Sequence, residues 1–267
     1  MMKKKTIWVC VLTAVVFLSM VAVGIATVFR IDEVTLRPTI VSQAATEEVD
    51  VLHERLSAAY ENESYFSADK KPAEKILKDF PYFRMTSFKK RSPNRIEITV
   101  TEDVEAYAVP VKGEDGRYYI LGEDGVVLGV RDTYINRLDG SSNLLITGLD
   151  VTGEKGKMLV GDDCVEELFA FCGVVSQSLG GIRRNVVSIE VLKMTSAAEE
   201  TFFRLTMKEG VRIYVGNPYV MTTEKAQAVI EKYLSLTDSE RLTGRVAVSE
   251  RAGELVIGYA EKDDFDF

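Results

Sequence analysis

Residues 80–108 read FPYFRMTSFKKRSPNRIEITVTEDVEAYA. The segment divides into two strands around a tight turn. Ser92-Pro93-Asn94-Arg95 carries the turn chemistry: Pro93 restricts φ at its second position and Asn94 suits the third. After the turn, Ile96, Ile98 and Val100 alternate with Glu97, Thr99 and Thr101, the period of a half-buried strand. Before it the alternation breaks. Phe83 and Met85 share a phase and Phe88 leaves it, which predicts a bulge or bend near Ser87.

Upstream, Lys3, Lys4 and Lys5 precede 23 uncharged residues, 7–29, enough to cross a bilayer with some tilt. Trp8 lies at the inner end, where an aromatic anchor belongs, and the lysine cluster predicts a cytoplasmic N-terminus. The competing reading is a cleaved signal peptide using Gly24 and Ala26. The apolar stretch is longer than a usual signal core and no Pro precedes the site, so a retained anchor is preferred. The expected organisation is a cytoplasmic tail at 1–6, a membrane helix at 7–29, a first domain at 30–102, a second at 103–260 and an acidic, frayed tail at 261–267.

Residues 1–29 hold three of the 33 basic residues and none of the 41 acidic ones. The remainder of the chain carries 30 against 41, a net charge of −11. That balance argues against nucleic acid or a phosphate polymer as a bulk-charge partner. The hydrophobic share of 46% is ample for packed cores. Cys164 and Cys172 lie eight apart in a predicted helix, roughly 12 Å along its axis, too far to bridge. They read as core residues, and the lone His53 leaves no histidine cluster.

Between anchor and hairpin, residues 31–37 alternate as a strand before Pro38. Residues 46–60 read as a helix with Thr46 as N-cap candidate, and 72–80 as a second helix with Pro72 in its first turn. The order β-α-α-β-β predicts a small sheet with two helices on one face. Beyond Val104, residues 118–121 and 126–130 flank a Gly122-Glu123-Asp124-Gly125 turn, and 144–149 form a short strand. A helix opened by Asp162 and Asp163 ends at Gly180-Gly181. Strands at 186–193, 202–208 and 211–215 precede a helix from Thr222 with Ala226, Val229, Ile230, Tyr233 and Leu234 on its buried face. Closing strands lie at 245–249 and 254–259. The pattern reads as mixed α+β, hairpins plus two helices, without βαβ alternation.

The residues offer little chemistry. Gly153–Met158 (GEKGKM) fails the P-loop pattern, with Val151 and Met158 at required positions. Glu114-Asp115 and Glu123-Asp124 sit in glycine turns and read as solvated, and Asp162-Asp163 reads as a helix cap. No metal, cofactor or catalytic residue is expected. Lys89-Lys90-Arg91 with Arg95 forms a basic hairpin tip, read as a solvated face with anionic headgroups or an acidic partner as the alternative. An anchored module of this kind is expected to bind partners along an unpaired sheet edge. The last strand, with Leu255, Val256, Ile257 and Tyr259, is the candidate.

Taken in order, these segments resemble the FtsQ/DivIB family of bacterial cell-division proteins along almost the whole chain. The resemblance rests on Pro81, Phe83, Arg91-Ser92-Pro93-Asn94, the I-x-I-x-V strand from Ile96 to Val100, and Glu102. It continues with the Gly122–Val127 turn, the strand–turn–strand at 205–216 and the helix after it. Asp103 stands where the family has Arg, Glu105-Ala106 where it has Pro-Val, and residues 246–249 where it has Asp-x-Arg. The resemblance implies a POTRA-type domain followed by a β domain in a non-enzymatic divisome component of the cell membrane and septum. It implies small bitopic coiled-coil partners, FtsL-like and FtsB/DivIC-like, and through them the septal peptidoglycan synthase. By position the partner strand is residues 255–259, Tyr259 matching an aromatic near its end. The rival class is a membrane-anchored cell-envelope hydrolase or transferase working through Asp162, Asp163, Glu123 and Asp124. A third is a module of an export machine or an anchored receptor.

Overall fold

The computed structural model describes residues 2–194 and 200–262; the end of the acidic tail, 263–267, lies outside them. The chain is mixed α+β and divides into two compact units, Met1–Glu102 and Asp103–Phe267.

The first unit opens with helix α1 (Met2–Val28). Its segment Val11–Val28 is long and apolar enough to span a membrane, and none of it is buried against the other described residues. Next in order are strand β1 (Glu33–Thr39), helices α2 (Gln43–Tyr60) and α3 (Lys71–Leu77), and strands β2 (Phe83–Arg91) and β3 (Arg95–Glu102). The sheet order is β1-β3-β2, with β1 parallel and β2 antiparallel to β3. The central strand carries Ile96, Ile98 and Val100, all fully buried. The expected irregularity in β2 is present: register shifts between Met85 and Ser87, which brings Phe88 opposite Ile98. The turn spans residues 92–94 between the paired Arg91 and Arg95.

Two local expectations are corrected. Pro38 lies inside β1 rather than after it, which an edge strand tolerates because no ladder bond is needed on its free side. Ser42, not Thr46, caps α2. Its extended backbone turns Oγ to accept from the Ala45 amide, while the Thr46 hydroxyl bonds back to the Ser42 carbonyl within the first turn. Glu102, at the end of β3, completes that cap. Its carboxylate accepts from the Val41 amide at 2.7 Å, the Ser42 amide at 2.9 Å and the Ser42 hydroxyl.

The second unit is built on a nine-stranded sheet. Its strands are β4 (Glu105–Pro110), β5 (Tyr118–Gly122), β6 (Val127–Arg131), β7 (Leu144–Thr147), β8 (Val186–Lys193), β9 (Thr201–Met207), β10 (Arg212–Gly216), β11 (Arg245–Arg251) and β12 (Glu254–Ala260). Their order is β12-β11-β10-β9-β8-β7-β4-β5-β6. Helices α4 (Val165–Leu179), α5 (Ile182–Asn185), α6 (Thr222–Leu234) and α7 (Asp238–Arg241) complete it.

The expected absence of βαβ units is wrong. β7 pairs parallel with β8 across a connection holding α4, and β10 pairs parallel with β11 across α6. A parallel neighbour needs a crossover of a dozen or more residues, and in the second unit these two connections carry the long helices α4 and α6; β4 and β7 also pair parallel, across the β5–β6 hairpin. One apolar core joins α4 and α6 to the sheet through residues such as Leu168, Cys172, Phe203, Ile213, Val229 and Val246. Leu234, expected in that core, is instead exposed, and Leu236 just past the helix end is buried. Gly180 ends α4 in the left-handed conformation, as a C-cap glycine does.

Candidate partner interface

The sheet of the second unit ends on β12. It pairs antiparallel with β11, from Arg245 opposite Ala260 to Arg251 opposite Glu254. Among the described residues it pairs with no other strand. β11 is held on its other side by parallel β10, so β12 is carried on a well-supported neighbour. Gly244 sets the start of this hairpin: its φ is +79°, and a Cβ there would collide with the Ala260 carbonyl.

The two faces of β12 differ. Leu255, Ile257 and Tyr259 stand opposite Glu250, Val248 and Val246, on the side of the core. Tyr259 packs against that core, and its hydroxyl makes long bonds to the Glu240 and Thr243 carbonyls, at 3.4 and 3.5 Å. Ile257 remains 37% exposed. Val256 and Gly258 point the other way, opposite Ser249 and Ala247. Val256 is 52% exposed and borders an open apolar depression of about 320 Å³ with Phe202, Tyr214, Gly216 and Ala247. The strand therefore offers a free backbone edge and exposed apolar surface at the same place. A segment adding as a further strand gains ladder hydrogen bonds and alternate-residue packing together.

The other residues singled out by sequence are dispersed. Trp8 is exposed on α1, and the side chains of Lys3, Lys4 and Lys5 lie outside the described residues. Three of the four basic tip residues have internal partners. Lys90 Nζ donates to the Tyr65 and Phe66 carbonyls, Arg91 pairs with Glu97, and Arg95 with Glu33. Glu97 receives Arg91 and Arg37, and its carboxyl lies below the ordinary value, chiefly through the Arg91 hydrogen bonds. Glu114, Asp115, Glu123 and Asp124 are exposed in turns.

Asp162 does not cap α4, whose N-cap is Cys164 without a side-chain bond. Its carboxylate instead pairs with Lys193 and accepts from the Asp150 amide at 2.6 Å, tying the α4 entrance to β8. Cys164 and Cys172 are buried, and desolvation raises their thiols to about 11 and about 12. Nε2 of His53 bonds the Val34 carbonyl at 2.8 Å.

Two buried polar arrangements lie outside the sequence-based expectations. Lys225 is fully buried in α6, donating to the Gly216 carbonyl at 2.9 Å and the Asn217 carbonyl at 2.6 Å. Desolvation lowers its pKa against the opposing charge of Glu250. Its place beside Ala226 and four residues before Val229, on the apolar stripe, is the available signal. The second is Glu105, buried and bonded by Arg131 at 2.5 Å, the Arg137 amide at 3.2 Å and Asn143 at 3.2 Å, with Asn136 bridging its carbonyl to Asn143. Its partners lie at the end of β6 and in the loop that follows it, up to 38 positions away, so no local pattern announces it. No protein-family model matches this chain, and no curated protein matches it.

Proposed function

We propose that this protein is a single-pass, non-enzymatic scaffold of the bacterial divisome, similar to FtsQ/DivIB proteins. α1 anchors it with the N-terminus in the cytoplasm. The first unit serves as a POTRA-type domain and the second as the partner-binding β domain, at the membrane of the division septum. Its partners are FtsL-like and FtsB/DivIC-like bitopic proteins, and through them the septal peptidoglycan synthase. The observation that carries the reading is β12, a terminal edge strand with exposed Val256 and Ile257 beside an apolar depression. Such an edge favours addition of a partner strand. The order β1-α2-α3-β2-β3 ahead of it agrees with a POTRA-type layout.

Carboxylate catalysis draws no support from the residues that suggested it: Glu123, Asp124 and Asp163 are exposed and Asp162 is ion-paired.

The test is co-purification of the full chain with FtsL-like and DivIC-like proteins from crosslinked cells, using two proline variants. Amides along an edge strand alternate between the neighbouring strand and solvent. Of Val256→Pro and Ile257→Pro, one removes a bond to β11 and lowers Tm, while the other blocks only the free edge. The variant with unchanged Tm is expected to lose the partners. Retention of both partners by that variant overturns strand addition at β12, and absence of both from the wild-type eluate overturns the scaffold reading.

A further inference from the structure

The end of α1 is not a free linker. The Tyr65 amide donates to the Phe29 carbonyl at 2.7 Å and the Ile31 amide to the Glu63 carbonyl at 2.8 Å, with Arg30 and Ser64 forming an antiparallel bridge between them. The loop between α2 and α3 is thus fastened directly to the last turn of the apolar helix. Three aromatic rings meet there. Phe29 lies 4.9 Å from Phe66 and 6.1 Å from Tyr65 between centroids, and Tyr65 meets Phe66 edge-on at 5.7 Å. Lys90 fixes this loop from the hairpin, donating to the Tyr65 and Phe66 carbonyls and standing 5.6 Å over the Tyr65 ring. Phe66 nevertheless remains 64% exposed. A large apolar ring held rigidly in the open, continuous with a bare apolar helix, calls for an apolar neighbour.

The spacing names that neighbour. At roughly 1.5 Å per residue, Trp8 and Phe29 stand about 30 Å apart along the helix, matching a hydrocarbon core of about 30 Å. Aromatic side chains concentrate at both membrane–water boundaries, and a cation stacked on such a ring suits the headgroup level.

We propose that Phe29, Tyr65 and Phe66 form an interfacial seat, lying in the headgroup–acyl boundary of the membrane that α1 crosses and holding the first unit against it. The inference rests on the reading of α1 as a retained membrane anchor. It assigns the α2–α3 loop a lipid-facing role, and it makes the base of β1 part of the membrane attachment rather than a tether.

Trp8 is the only tryptophan, so depth can be read by fluorescence in vesicles containing acyl-brominated phosphatidylcholine. Three full-length proteins are compared: the wild type, Trp8→Phe with Phe66→Trp, and Trp8→Phe with Val41→Trp. Val41 is an exposed control beyond the far end of β1. The indole placed at position 66 is expected to emit blue-shifted and to lose roughly twofold or more of its intensity to bromines high on the acyl chain, while the indole at position 41 is unaffected. Quenching of Trp8 in the wild type without quenching in the Phe66→Trp protein overturns the seat while keeping the anchor. This includes a blue-shifted but unquenched indole at position 66, which means that a protein surface covers the ring. Unquenched Trp8 overturns the anchor and the seat together, and equal quenching at positions 66 and 41 overturns a defined seat.

Discussion

β1 and β12 are both edge strands, and they treat their free sides in opposite ways. β1 reads EVTLRPT: Glu33 and Arg37 place charge along it, and Pro38 removes an amide. Those are the devices by which natural sheets discourage a further strand. β12 reads ELVIGYA, with neither charge nor proline between Leu255 and Ala260, and leaves Val256 and Ile257 in the open. The small sheet keeps its apolar residues inside, on β3, whereas the large sheet places some on its rim. The β1 edge carries devices that discourage a further strand and the β12 edge does not, which is why the proposed interface is placed on β12 even though both strands have a free side among the described residues.

The largest expected effect contrasts the strand enclosed by the small sheet with the open one. Ile98 is fully buried between β1 and β2, and Ile98→Ala should lower stability by about 3–4 kcal/mol, through lost transfer energy and the cavity left behind. Ile257→Ala, at a position over a third exposed, should cost less than about 1 kcal/mol in the free protein. Urea unfolding of both variants checks this. Equal losses would mean that β12 is an interior strand in solution and would remove the basis of the comparison.

A smaller effect tests how the protected sheet is finished. Glu102 ends β3 and satisfies the amides of Val41 and of the N-cap Ser42 just ahead of α2, so the strand and the entrance of the helix are locked by one carboxylate. Glu102→Ala leaves those amides without their acceptor and should cost about 2 kcal/mol. Faster hydrogen exchange at Val41 and Ser42, ahead of the sheet amides, is the accompanying signature. An unchanged exchange rate there would show that the cap stands without Glu102.

Parts of this arrangement are legible from residues and parts are not. The hairpin around Ser92–Asn94, the irregularity before Ser87 and the stop at Gly180 follow from local rules, because period, turn chemistry and left-handed glycine act within a few residues. The parallel pairs β7–β8 and β10–β11 are present as strand–helix–strand spacing, yet the same spacing reads equally well as separate hairpins. Strand partnership is a long-range property that alternation does not encode. Asp162 misleads for a related reason: an acidic residue before a helix has a local explanation, and the partner that claims it, Lys193, lies 31 positions away. The exposure of Val256 is legible only in part, since the apolar character of 255–257 suits an interior strand equally well and only the sheet order distinguishes them.

The smallest effect comes from a carboxylate in the large unit that, unlike Glu102, is half exposed. Asp139 accepts from the Ser141 amide at 2.9 Å and its hydroxyl at 2.7 Å, and pairs with Arg183 at 3.1 Å. These contacts hold its pKa at about 2, below the ordinary 3.8, the Ser141 hydroxyl being the largest cause. A carboxyl whose pKa is lower in the folded state binds fewer protons there than in the unfolded chain. Its contribution is therefore complete above the ordinary carboxyl range, and it is lost as pH falls from about 4 through about 2. Because the side chain is 49% exposed, solvent screening limits that contribution to no more than about 1 kcal/mol. Asp139→Asn should lower Tm slightly at pH 7, and the gap from wild type should close as the pH approaches 2. A gap that persists at pH 2 would mean that the loop is held by the shape of its Ser141 turn rather than by charge. The contrast between the two units would then lie in burial alone.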